Sequence, residues 1–178
     1  MSKRELKKYL IELNKEQLEE QIISLYDKFL PVKTYYDFVF NPKEEVLLRE
    51  SKLKISNEFF PVKTTGKRSK PKMRRSVAQK HIKQFLLLGV DPFITADLML
   101  YTIEIALAFS AENKNRLESF YKSIFNSYEQ AVRFVIANGM VAAFEKRIIA
   151  IHNEILVQKW KNQAQFNAII ELFERENN

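Results

Sequence analysis

Apolar residues return at three- and four-residue intervals along most of the 178-residue chain, the spacing that places them on one face of an α-helix. Leu6, Tyr9, Leu10 and Leu13 form the first stripe, and Leu18, Ile22, Leu25 and Phe29 the second. The short break between them predicts an antiparallel helix pair. Pro31 stops the second helix, a short aromatic helix is expected over 32–40, and another runs from Asn41 and Pro42 to residue 59, where Pro61 ends it. Residues 76–88 carry a further helix. The segment 92–111 is apolar nearly all round, with Leu98, Met99, Leu100, Ile103, Ile105, Leu107 and Phe109, which predicts a central, buried helix. Beyond it, Phe120, Ile124, Tyr128, Val132 and Val135 mark one long stripe, Phe144, Ile148, Ile151 and Ile155 the next, and Phe166, Ile169, Ile170 and Phe173 the last. Nothing alternates with period two over a useful length. The expectation is an all-α bundle of about eight helices with an N-terminal antiparallel helix pair.

The polar residues between the stripes supply the punctuation. A capping side chain followed three residues later by Glu or Gln occurs at Ser2/Glu5, Asn14/Gln17, Asn41/Glu44, Ser76/Gln79 and Asn115/Glu118. In such a pair the cap oxygen accepts an orphan amide proton of the first turn and the Glu or Gln returns a bond to the cap amide. Gly89 supplies a left-handed stop, Asp91 a cap and Pro92 a first helical position, together the sharpest boundary in the chain. One hexad recurs at a distance of 30 residues: Phe29-Leu30-Pro31-Val32-Lys33-Thr34 and Phe59-Phe60-Pro61-Val62-Lys63-Thr64. Two copies are too few for a solenoid, so the echo is read either as two similar helix stops or as a degenerate duplication.

Composition narrows the chemistry. Without cysteine there is no disulfide framework and no thiol nucleophile, and two His residues leave little for a metal centre. Three glycines cannot supply a dinucleotide-binding turn or a nucleophile elbow, and no GxxxxGK[ST] phosphate loop is present. No cofactor is expected. Asp91, Asp97 and Glu104 interrupt the most hydrophobic stretch, so no membrane span is expected, and the N-terminus lacks the apolar core of a signal peptide. A cytoplasmic location is the resulting expectation.

Charge changes the picture more than composition does. The net charge is +7, yet no acid lies between Glu58 and Asp91, where nine basic residues are found: Lys63, Lys67, Arg68, Lys70, Lys72, Arg74, Arg75, Lys80 and Lys83. Elsewhere 20 basic residues face 22 acidic ones, so this segment accounts for the whole excess. A field of one sign attracts polyanions, and Arg can hold phosphate through two parallel hydrogen bonds. Lys67, Arg68, Lys70, Lys72, Arg74, Arg75, Lys80 and Lys83 are therefore candidate polyanion-binding residues, with nucleic acid or an acidic protein as partner. The other reading is a solvated connector, because residues 62–75 mix Thr, Gly, Ser and Pro with the charges. No zinc-finger, basic-zipper or RNP signature accompanies the segment, so any recognition would be of backbone or shape.

A second constellation lies on the apolar helix. Asp97, Tyr101 and Glu104 fall at i, i+4 and i+7, one narrow polar line continued by Ala108. Two carboxylates and a phenol could act as an acid/base pair or hold a hard cation. They could equally be the wet edge of the helix, or pair with Arg74 or Arg75, since an unpaired buried charge is costly. His81 and His152 each sit on an apolar line and read as packed residues.

The strings KTYYDFVFNPKE (33–44), KKYL with LNKEQLEEQ (7–21) and RRSVAQK (74–80) resemble an uncharacterised bacterial family catalogued only as a domain of unknown function, over nearly the whole chain. That resemblance implies a small soluble protein and carries no reaction, cofactor or functional residue. The expected organisation is one compact domain made of an N-terminal helical subdomain (1–61), a basic connector (62–75) and a C-terminal helical bundle (76–178). The expected function is a noncatalytic binding or adaptor module whose basic segment contacts a polyanion nonspecifically. The alternatives are a protein-interaction scaffold with a merely solvated linker, and an enzyme using Asp97, Tyr101 and Glu104.

Overall fold

The computed structural model describes residues 2–62, 70–113 and 117–175, and 82% of these are helical, with no strand among them. Among the described residues nine helices follow in chain order. The chain divides into two compact units, Met1–Lys43 and Glu44–Asn178. The expected subdomain boundary near residue 61 therefore moves to 43/44. The reason is packing: the helix over 44–59 turns Ser51, Ile55 and Phe59 into the core of the larger unit.

The smaller unit holds α1 (Lys3–Ile11), α2 (Lys15–Lys28) and α3 (Leu30–Phe40). Both expected capping boxes form here. Asn14 Oδ1 accepts from the Gln17 amide at 2.8 Å while Gln17 Oε1 accepts from the Asn14 amide at 3.0 Å, and Ser2 and Glu5 exchange the same two bonds. Gln21 Nε2 donates to Tyr9 Oη at 2.6 Å, linking α1 to α2, and α2 packs on α3. None of the three helices buries a residue.

The larger unit holds α4 (Glu44–Phe59), α5 (Arg75–Leu88), α6 (Pro92–Glu112), α7 (Glu118–Ala137), α8 (Val141–Val157) and α9 (Gln163–Arg175). Helix α6 is central, as its all-round apolarity predicts: it buries eleven residues and packs against α4, α5, α7 and α8. Its start is built as the sequence indicates. Gly89 closes α5 at φ 70°, Asp91 Oδ1 accepts from the Phe93 amide at 2.7 Å, and Pro92 opens the helix. By length and composition α6 could cross a bilayer, contrary to the expectation that no stretch qualifies. Most of it is buried among its neighbours, however, so a core helix passes the same test.

Two other capping expectations fail for identifiable reasons. Helix α5 begins at Arg75 with Arg74 in the cap position, which leaves Ser76 inside the first turn. Helix α4 begins at Glu44, whose carboxylate accepts from the Asp91 amide at 3.1 Å, a tertiary bond in place of a local return to Asn41. The Asn115 cap expected for α7 lies outside the described residues, as does part of the expected connector.

Rings knit α7, α9 and the turn before α9 together. Phe166 stands 5.3 Å from Phe125, 5.2 Å from Tyr128 and 5.9 Å from Trp160, centroid to centroid. Tyr128 is fully buried with no hydrogen-bond partner for its hydroxyl among the described residues, and burial pushes its phenol pKa far up. A buried hydroxyl without a partner carries its desolvation penalty uncompensated. Tyr128→Phe is thus expected to raise stability by about 1 kcal/mol, read as an upward shift of roughly 2–4 °C in a thermal melt; a fall would mean that the hydroxyl is bonded in solution.

Candidate functional site

Asp97, Tyr101 and Glu104 do lie along the half-exposed line of α6, and the line is paired rather than free. Two helical turns separate the carboxylates, about 10 Å along the axis at 1.5 Å per residue. The Arg147 guanidinium, reaching over from α8, is long and planar enough to join them. Its Nε and Nη2 form a fork on the two Glu104 oxygens at 2.6 and 2.8 Å, and its Nη1 bonds Asp97 Oδ1 at 2.6 Å. A fourth, longer bond runs from Nη2 to the Asp97 backbone carbonyl at 3.3 Å. From α4, Lys52 Nζ takes the remaining Asp97 oxygen at 2.6 Å and sits 5.1 Å above the Tyr101 ring. Three helices are thereby cross-linked through charged side chains.

The electrostatics follow from this geometry. Burial opposes ionisation of Asp97, but the hydrogen bonds from Lys52 and Arg147 outweigh it and hold the carboxyl below its usual range. Burial likewise disfavours the Arg147 cation, and the bonds to Glu104 and Asp97 reverse that, so its affinity for the proton rises. A carboxylate clamped between two cations is a poor general base. Among the described residues no three His, Asp or Glu side chains converge as a metal site. The expected alternative of pairing with Arg74 or Arg75 is corrected to Arg147 and Lys52. Neither was visible as a partner in the sequence, although Arg147 stands three residues after Phe144 and four before Ile151, on the apolar side of α8.

The two arginines of the basic segment are engaged elsewhere. Arg74 grips Glu58 with Nε and Nη2 at 2.9 and 2.8 Å, and its amide donates to the same carboxylate. Those bonds lower the Glu58 pKa. The Lys72 and Met73 amides donate to the Glu58 carbonyl, fixing the chain just before α5 with Met73 at φ 51°. Arg75 points inward to neutral acceptors, Ser127 Oγ at 3.0 Å and Gln130 Oε1 at 3.2 Å, and burial depresses its pKa. Among the described residues it has no carboxylate partner. Lys70, Lys72, Lys80 and Lys83 are exposed and form no ion pair among the described residues, while Lys67 and Arg68 lie outside them.

The two histidines are packed as the sequence suggests. His81 Nδ1 shares a 3.2 Å hydrogen bond with Ser51 Oγ, and burial, with Lys54 and Lys80 nearby, lowers its pKa. His152 Nε2 meets Asn167 Oδ1 at 2.8 Å.

The profile of one family, the Family of unknown function (DUF6155), matches residues 1–174. The chain belongs to this family. No curated protein and no solved structure matches it. In this DUF6155 chain both the polar line of α6 and the basic segment fall within the matched residues, and the family supplies no role for either.

Proposed function

We propose that the protein is a noncatalytic helical binding module whose basic segment engages a polyanion, nucleic acid in the first instance, through phosphate contacts without base readout. The observation that carries this reading is the uneven neutralisation of charge. Asp97 and Glu104 of α6 are matched by cations, and Arg74 is matched by Glu58. Lys70, Arg75, Lys80 and Lys83 have no carboxylate partner among the described residues, Lys72 feels the Glu58 charge without forming an ion pair with it, and no acid interrupts the sequence from 59 to 90. Lys80 and Lys83 lie three residues apart on the exposed side of α5, spaced to meet a phosphate chain together. Arg74 and Arg75 hold the segment in place, and the lysines face the ligand.

A fluorescence-anisotropy titration with labelled duplex DNA tests this. With roughly six phosphates contacted, log affinity falls with log salt at a slope near −5. Replacing Lys72, Lys80 and Lys83 with Ala weakens binding equally on every sequence and shallows the slope by about 3 at most, because each contact contributes about 0.9. The triple variant should melt as the wild type does, since none of these side chains makes an ion pair among the described residues. No binding of DNA or RNA at about 50 mM salt would overturn the reading.

A further inference from the structure

Polar contacts cross the seam between α4 and α5 at both ends and in the middle. At one end Arg74 forks onto Glu58, at the other the Asp91 amide donates to Glu44, and midway His81 Nδ1 shares a bond with Ser51 Oγ. Carboxylates make the two ends. The middle is a neutral pair kept from water, Ser51 at 1% and His81 at 8% exposed, in a stretch where Ile55 and Ile82 are buried as well. A serine hydroxyl can accept from an imidazole or donate to it, so it serves the neutral ring in either tautomer, but it brings no negative charge to a protonated one. The charges that act on the ring have the wrong sign for its cation. Helices α4 and α6 pack on α5. From α4 Lys54 acts on the imidazole, and on α5 itself Lys80 does, while Glu50, next to Ser51, lies in solvent. Of the α6 groups, Asp97 and Glu104 are held by Arg147 and Lys52, Tyr101 lies beneath Lys52, and Glu112 is the last residue of the helix. Burial and then the two lysines hold His81 below the usual imidazole pKa. A proton on this ring is costly until the seam opens to water.

We infer that His81 is an acid-sensitive latch: proton uptake by its imidazole loosens the middle of the α4–α5 seam while the Glu58–Arg74 and Glu44–Asp91 contacts hold its ends. The order of titration keeps the opening local. Carboxylates as a class titrate near pH 4, and Glu58 is held lower than usual by Arg74, so between about pH 7 and pH 5 it is the imidazole that changes charge. Linkage gives the direction. Because the folded-state pKa lies under the unfolded value of 6.5, the seam is tightest above that value and loosens as pH falls through the folded one. One proton also sets the ceiling, since the opening constant then grows at most about tenfold per pH unit. Lys80 and Lys83 stand on either side of His81 in α5, so the helix that loosens is the one that presents them. The latch itself does not rest on what those lysines bind.

Amide hydrogen exchange of the full chain at about pH 7 and about pH 5.5, corrected for the intrinsic rate, reads the opening. Amides around Ser51 and His81 are expected to lose protection several-fold, and by no more than about 30-fold for one proton over this interval, while those of α8 and α9 keep theirs. His81→Gln, which retains a hydrogen-bonding group for Ser51 and takes up no proton, should abolish the response. No loss in the wild type, a loss shared by every helix, or an equal loss in the variant overturns the proposal. The ring resonances of the wild type give a reading that stands even where the variant fails to fold. His81 should titrate with a midpoint below 6.5, in step with the amide loss. A midpoint at or above that value with the seam still protected would likewise overturn it.

Discussion

Arg147→Leu is expected to lower the melting temperature by roughly 6–12 °C, which corresponds to a loss of about 3 kcal/mol for a chain of this size. The substitution preserves bulk and removes the only group among the described residues that reaches both Asp97 and Glu104. Breaking a fully buried pair from one side costs about 3–5 kcal/mol, because the remaining charge is stranded. The figure is set at the lower end since Arg147, Asp97 and Glu104 keep 28%, 26% and 36% of their side-chain surface, and water screens what they lose. Lys52→Met should cost less, because Asp97 then retains Arg147. Arg147→Lys should fall between, since a point charge cannot fork onto Glu104 and reach Asp97 as well. The acid limb of the stability curve gives a second readout. Because the folded-state pKa of Asp97 is depressed, its contribution is fully present above the unfolded value near 4 and is lost as pH falls through the folded value. Chemical denaturation between about pH 5 and pH 2 should therefore show a shallower loss in Arg147→Leu than in the wild type. Parallel curves would mean that the pairing adds nothing.

Phe166→Ala is expected to cost about 4 kcal/mol, the upper range for emptying a fully buried aromatic site, and so to lower the melting temperature by roughly 8–16 °C. Phe166 is wholly enclosed and touches rings from α7 and from the turn before α9 at once. Its removal leaves a cavity that three rigid rings cannot close, and it unseats the buried stripe of α9, Ile169, Ile170 and Phe173. Trp160 is the only tryptophan of the chain and lies 5.9 Å from Phe166, so its emission reports the site directly. A red shift of that emission should accompany the loss of stability. Phe166→Leu, which refills most of the volume, should recover more than half of it. An unchanged spectrum with a lowered melting point would place the damage away from this cluster.

How much of this was legible in the chain depends on the range of the interaction concerned. The two N-terminal capping boxes, the Gly89-Asp91-Pro92 punctuation and the central place of α6 follow from residues within about one turn of each other, or from a single helix's apolarity. These are contests that local sequence decides. The box expected at Asn41 and Glu44 was a fair local reading, and it lost to a backbone amide 47 residues away, at Asp91. The unit boundary moved for a similar reason. Ile55 and Phe59 announce a helix face, but which core takes that face is a property of the neighbours and not of the stripe.

The basic segment shows both sides of the division. Its acid-free run and its share of the net charge are written in the sequence and need no structure. That Arg74 is spent on Glu58 and Arg75 on Ser127 and Gln130, while Lys80 and Lys83 stay in water, is decided by which side of α5 faces α4 and α7. The polar line of α6 divides in the same way. Spacing alone put Asp97, Tyr101 and Glu104 on one edge, because 3.6 residues per turn is a property of the backbone. Only the folded chain brought Arg147 and Lys52 to that edge from positions 50 and 45 residues from Asp97. A buried carboxylate requires a cation but does not specify which one, and the packing of helices made that choice.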